Sequence, residues 1–120
     1  MYKIHFFKDR RGNRPIAEYL KSLSEKTDKD SRIKFQKVRD YIAYLSEEGK
    51  QVCEPYIKHL QGEIWELRPL KDRVLFAAWD GKSFILLHHF VKKTQKTPFR
   101  EIKQAERNLA EMRERGLNDE

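Results

Sequence analysis

In the run Glu63-Ile64-Trp65-Glu66-Leu67-Arg68-Pro69-Leu70-Lys71-Asp72-Arg73-Val74-Leu75-Phe76-Ala77-Ala78-Trp79-Asp80-Gly81-Lys82-Ser83-Phe84-Ile85-Leu86-Leu87-His88-His89-Phe90-Val91, apolar, β-branched and aromatic residues gather in three short blocks. The blocks are residues 63–68, 73–79 and 83–91, parted by Pro69 to Asp72 and by Asp80-Gly81. Blocks of this length and composition read as strands, and Asp-Gly is a strong signal for a tight hairpin. Three successive strands are therefore expected.

Upstream the period is helical. Ile16, Tyr19, Leu20 and Leu23 recur at i, i+3, i+4 and i+7, with Pro15 in the first turn and Asn13 placed to cap it. Val38, Tyr41, Ile42 and Leu45 repeat the spacing in a second helix over about 28–48, with Gly49 as its stop. The short break at 24–27 makes the two an antiparallel hairpin. Before them, Tyr2 to Phe7 has the aromatic and β-branched content of a first strand, followed by a polar turn at 9–13. Residues 50–62, punctuated by Pro55 and Gly62, read as irregular. Downstream, residues 99–115 place Ile102, Ala105, Leu109 and Met112 on one helical face, between Pro98 and Gly116. The order β-α-α-β-β-β-α describes an α+β fold. Its core is a small antiparallel sheet with a helical hairpin packed on one face, in a single domain over 1–120.

The chain has 120 residues, with 26 Lys or Arg against 19 Asp or Glu, a formal charge of +7. Aromatic residues are 12% of the total, too many for a disordered polyelectrolyte. No stretch approaches the roughly 20 apolar residues of a membrane span, and the charged opening Met1 to Lys8 is no secretory signal. A soluble, cytoplasmic protein is expected. The one cysteine, Cys53, excludes an intramolecular disulfide and a cysteine-rich zinc site, and reads as a small apolar filler. A basic domain of this size favours a polyanion or an acidic protein as partner.

Several chemistries are missing at the level of motif: no phosphate-cradling glycine loop, no Gly-x-Ser-x-Gly elbow, no His-Glu-x-x-His helix. Adjacent strand residues point to opposite faces, so His88 and His89 cannot jointly chelate a metal in the usual way. Alternation sets Ile64, Glu66 and Arg68 against Trp65 and Leu67, and Arg73, Leu75, Ala77 and Trp79 against Val74, Phe76 and Ala78. If the all-apolar sets meet the helices, Glu66, Arg68 and Arg73 are left on an open face. Two arginines flanking one short connection suit a phosphate or a developing oxyanion. The plain alternative is surface salt bridges to Glu66 and Asp72. Residues 92–100 hold four basic groups and no acid, with Thr94, Gln95 and Thr97 between them and Phe90 and Phe99 at the flanks. Such a segment can grip several phosphates while a ring stacks a base, though an ordinary solvated loop would look the same.

Glu66-Leu67-Arg68, Arg73-Val74-Leu75-Phe76 and Leu86-Leu87-His88-His89-Phe90-Val91-Lys92-Lys93-Thr94-Gln95-Lys96-Thr97-Pro98 resemble the RelE/ParE toxin superfamily. Within it they look most like the HigB-type, phage-related branch of type II toxin–antitoxin systems. Pro15-Ile16-Ala17-Glu18-Tyr19-Leu20 and the Arg100-Glu101-Ile102 helix start also fit, so the resemblance spans most of the chain. The run Phe90 to Pro98 is its most specific part. His89 departs from it, since relatives often carry glycine before the phenylalanine.

The resemblance implies a ribosome-dependent mRNA endoribonuclease that inhibits translation and needs neither metal nor cofactor. The ribose 2′-hydroxyl attacks its own phosphate, leaving a cyclic phosphate and a free 5′-hydroxyl. A HigA-like helix-turn-helix antitoxin would neutralise the enzyme by covering the basic face or displacing the terminal helix. The implied catalytic residues are Arg68, Arg73, Lys93, His89 and Glu66. The arginines would stabilise the pentacoordinate phosphate, a lysine or histidine would move protons, and Glu66 would orient an arginine or act as base. Lys92, Lys96, His88, Phe90, Gln95 and Arg100 would bind RNA. Two other readings stay open: a ParE-like inhibitor that binds DNA gyrase without catalysis, and a basic module that only binds nucleic acid or protein.

Overall fold

A computed structural model describes residues 1–52 and 54–117; Cys53, with its expected role as a filler, and residues 118–120 lie outside the described residues. Three helices form where the spacing puts them: α1 (Pro15–Ser24), α2 (Lys29–Glu48) and α3 (Phe99–Arg115). The start of α1 differs in detail. Arg14 occupies the cap position, and its backbone N–H donates to Glu18 Oε2 at 2.9 Å. Asn13 does not cap, because the helix starts one residue later and Asn13 belongs to the preceding turn, where Asp9 Oδ1 accepts from the Asn13 and Arg11 N–H groups at 2.9 Å each. Asp28 caps α2, accepting from the Ser31 N–H at 2.9 Å. Gly49 ends it at φ +63°, where a Cβ would meet the Tyr2 ring at 2.6 Å. Only glycine serves both the left-handed stop and the close approach of the first strand.

The strands are β1 (Lys3–Phe6), β2 (Ile57–Gln61), β3 (Ile64–Leu67), β4 (Asp72–Asp80) and β5 (Ser83–Val91), in the sheet order β1-β5-β4-β3-β2. The α+β class holds, with two corrections. The segment read as irregular contains β2, which pairs antiparallel with β3. Its only apolar residues are Ile57 and Leu60, too few to show alternation. The sheet is also mixed, because β1 runs parallel to β5. That pairing spans most of the chain, and no local pattern reports it.

A third correction concerns the face expected to be open. Leu67, Val74, Phe76, Phe84 and Leu86 pack with Ile16, Val38 and Leu45 of the helical hairpin. On the other face Ile64, Leu75, Ala77, Ile85 and Leu87 pack with Ala105, Leu109 and Met112 of α3. The apolar stripe of α3 must also leave water, and this sheet face is where it does so. Glu66 and Arg73, on that face, are consequently only 2% and 6% exposed.

The β4–β5 ladder slips twice, once beside the Asp80-Gly81 hairpin and once inside the strands: Leu75 pairs with His88 but Phe76 with Leu86, so Leu87 is the extra residue of a β-bulge. Its carbonyl accepts from Asn108 Nδ2 of α3 at 2.8 Å, a buried bond. The bulge resets alternation, so Leu87 and His88 both meet α3 while His89 turns to α1. Replacing Asn108 with leucine strands that carbonyl, and urea unfolding should show a loss of about 1–3 kcal/mol. An unchanged midpoint would mean that the bulge does not depend on Asn108.

Candidate functional site

The site is built on the connection between β3 and β4. Pro69 O accepts from the Asp72 N–H at 3.0 Å, and Leu70 sits at φ +57°, a left-handed conformation costly for any residue with a side chain. Arg73 ties this turn together: its Nη1 donates to Leu70 O and to Asp72 O, both at 2.8 Å. Among the described residues its buried Nε has no hydrogen-bond partner, and neither has the buried Nε of Arg68 at the other end of the turn. Burial draws the Arg73 guanidinium below its ordinary pKa, with Glu66 pulling the other way, and the group stays charged.

Glu66 stands between the two arginines. Its Oε1 lies 3.6 Å from Arg68 Nε and 3.8 Å from Arg73 Nε, close enough for ion pairs but too long for hydrogen bonds. The plain reading of Arg68 and Arg73 as salt-bridge partners of Glu66 is thus half met, but in a buried setting rather than at the surface. The other Glu66 oxygen accepts from the Thr97 hydroxyl. That bond brings the 92–98 segment over the arginines.

Beneath the segment lies a cleft of about 220 Å³, with Glu66, Arg68, Lys92, Gln95, Lys96 and Thr97 among its walls. Lys58, His59 and Leu60 of β2 complete it, beside Ile102. A wider recess of about 780 Å³ adjoins it, lined by Leu70, Lys71, Arg73, Lys92, Lys93, Thr94 and Gln95. Lys92 and Gln95 are common to both. The expected residues Glu66, Arg68, Arg73, Lys92, Lys93, Gln95 and Lys96 therefore come together. Lys58 and His59 also line this candidate site, and sequence reasoning missed both. The register pairs Lys58 with Glu66, so only the unrecognised β2 could have placed them there. The His59 ring lies 4.9 Å from that of Trp65, and its Nε2 is 2.7 Å from Gly62 O.

The two central histidines go elsewhere. His88 Nε2 is 2.7 Å from Glu101 Oε1, and its ring stacks on Phe90 at 6.0 Å. Phe90, Lys93, Thr94, Arg100 and Glu101 line a further recess of about 310 Å³. His89 lies on the opposite face of the sheet, where the structure does not bring it to Glu66. Its ring stacks on Tyr19 at 3.9 Å, and its Nε2 is 2.9 Å from Asp72 Oδ1. That oxygen also accepts from the Tyr19 hydroxyl at 2.8 Å, with Lys34 Nζ at 3.8 Å. Burial alone would raise the Asp72 carboxyl; the bonds from His89 and Tyr19, with the Lys34 charge, outweigh it and hold the group below the usual carboxylate range. The Tyr19 phenol is pushed well above its ordinary value by burial and by its bond to Asp72. This cluster braces from behind the turn that carries Arg73.

Among the described residues no helix is long and apolar enough to cross a membrane. The family model for phage-derived protein Gp49-like (DUF891) matches residues 18–110, a span that includes both arginines, Glu66 and the whole 92–100 segment. No curated protein matches the chain.

Proposed function

Because the chain belongs to the Gp49-like family of phage-derived proteins, among the RelE/ParE-like toxins of type II toxin–antitoxin systems, we propose that it is a HigB-like endoribonuclease that cuts mRNA on the ribosome. It acts in the cytoplasm as one toxin domain and is silenced by a HigA-like helix-turn-helix antitoxin. The observation that carries this reading is the pair of arginines, each with a buried, unpartnered Nε among the described residues, under a loop that supplies Lys92 and Lys96. Buried donors without partners are costly, and a phosphate oxygen is the acceptor that fits them.

In-line attack forms the bond from the 2′-oxygen to phosphorus and breaks the bond from phosphorus to the 5′-oxygen. The 2′-hydroxyl loses a proton, the 5′-oxygen gains one, and negative charge builds on the non-bridging oxygens. Arg68 and Arg73 stabilise that charge. Lys92, Lys93 and Lys96 hold the flanking phosphates. Glu66, engaged by two guanidinium groups and by Thr97, is a positioning residue rather than a base. The His59 ring lies beside Trp65, on the face opposite Glu66, which leaves the lysines around the cleft to move protons. His89 orders the Arg73 turn through Asp72.

The test is primer extension on a defined mRNA in a purified translation system. Discrete new 5′ ends that require ribosomes support the proposal. Intact mRNA alongside growth arrest in cells would replace it with gyrase binding. Salt-dependent RNA binding without product would leave only a binding module.

A further inference from the structure

On the far side of Leu70 from Arg73 the surface turns apolar. A groove of about 460 Å³ runs from the start of α2 to the ends of β4 and β5, its apolar walls formed by Ile33, Leu70 and Val91. These side chains are 41%, 52% and 39% exposed. Leu70 is thus held in water in a left-handed conformation, so it carries two costs at one position. Adjacent exposed apolar residues on a strained turn mark a surface meant to be covered. Leu70 and Lys71 also form the rim of the recess that contains Arg73, Lys92 and Lys93, in which no carboxylate takes part. One ridge therefore separates a mainly apolar groove from a recess whose charged residues are all cationic.

We propose that this ridge seats a protein segment that places a large apolar side chain in the groove and carboxylates against Lys71, Lys92 and Lys93, covering Arg73. The chemistry favours protein over RNA. The groove has no ring on which a base could stack, and its carboxylates Asp30 and Asp72 are matched by Lys34 and Lys71, so it offers a phosphate backbone no net attraction. The acid-free recess beside it is complementary to carboxylates. Seating also reaches the guanidinium directly, because Leu70 O is one of the two acceptors that hold Arg73 Nη1. The inference deepens the toxin–antitoxin reading by saying how a partner closes the cleft, and it rests on that reading only for the partner's identity.

The test titrates the full chain with a fluorescein-labelled amphipathic helical peptide of about 18 residues, leucine on one face and glutamate along its flanks. Amide chemical shifts are mapped alongside fluorescence anisotropy. Shifts are expected at 30–34, 70–73 and 91–93, and an oligouridylate should displace the peptide. Ile33→Ser should weaken peptide binding about tenfold, the worth of one aliphatic side chain removed from water. Exchanging the glutamates for glutamine should weaken it as well. Ile33 lies outside the cleft, so Ile33→Ser keeps whatever cleavage the wild type has. Equal affinity of wild type and Ile33→Ser, or shifts that cluster elsewhere, would overturn the proposal. Loss of oligouridylate affinity rather than peptide affinity in Ile33→Ser would assign the groove to RNA and overturn it too. A wild type that binds the peptide through the groove but cuts no mRNA refutes the nuclease alone. One that cuts mRNA without groove-dependent binding refutes the docking alone.

Discussion

Arg73→Ala is expected to lower the single-turnover rate of ribosome-dependent mRNA cleavage by about 10²–10³-fold, the usual cost of one group aimed at developing charge. Two effects combine in this variant. A cation is lost from beside the phosphate, and the Leu70 turn loses the Nη1 bonds that hold it. Those two bonds are worth about 1 kcal/mol each, so the protein is less stable but still folds. Arg68→Ala separates the effects, because no bond from Arg68 to the turn accompanies its ion pair with Glu66. A comparable loss of cleavage with little change in melting temperature would isolate the charge. Arg73→Lys tests geometry: lysine keeps the charge but not the fork that reaches the turn carbonyls and a phosphate together, so it should rescue only in part. Wild-type rates in both alanine variants would remove the arginine pair from the mechanism.

Asp72→Ala is expected to cost about 3 kcal/mol or more in urea unfolding, the worth of two hydrogen bonds to a buried charge. The carboxylate is 1% exposed and accepts from Tyr19 and His89 on a single oxygen. Removing it leaves the phenol and the imidazole without their acceptor and Lys34 without its nearby charge. The folded carboxyl titrates below 3.8, its ordinary value and the one it regains on unfolding. Between those two values the unfolded chain binds more protons than the native one, so stability rises with pH across that window. The contribution is complete above the unfolded value and disappears as pH falls through the folded one. Asp72→Asn should therefore be clearly less stable than wild type at pH 7, with the gap narrowing below pH 3.8. A gap that stays constant under acid would show that the charge of Asp72 contributes nothing.

The helices and the three-strand run were legible in the sequence because periodicity is local. Ile16 to Leu23, Val38 to Leu45 and Ile102 to Met112 each carry the spacing of one buried face, and Asp80-Gly81 marks its hairpin whatever the rest of the chain does. The types of residue at the site were legible for the same reason: two arginines flank one turn, a glutamate shares their face, and acid is absent from 92–100. What those residues touch was settled only by packing between distant segments. Glu66 passes from an open face to a buried one because α3 covers it, and Thr97 reaches it from 31 positions away. Lys58 and His59 enter the cleft only because β2 pairs with β3. The histidines show the limit most sharply. Alternation put His88 and His89 on opposite faces, but the bulge at Leu87 decided which faces α3 and which stacks on Tyr19. A strand's parity is carried by its own backbone only until an extra residue interrupts it, and that residue is held in place because Asn108, on another element, donates a buried hydrogen bond to its carbonyl.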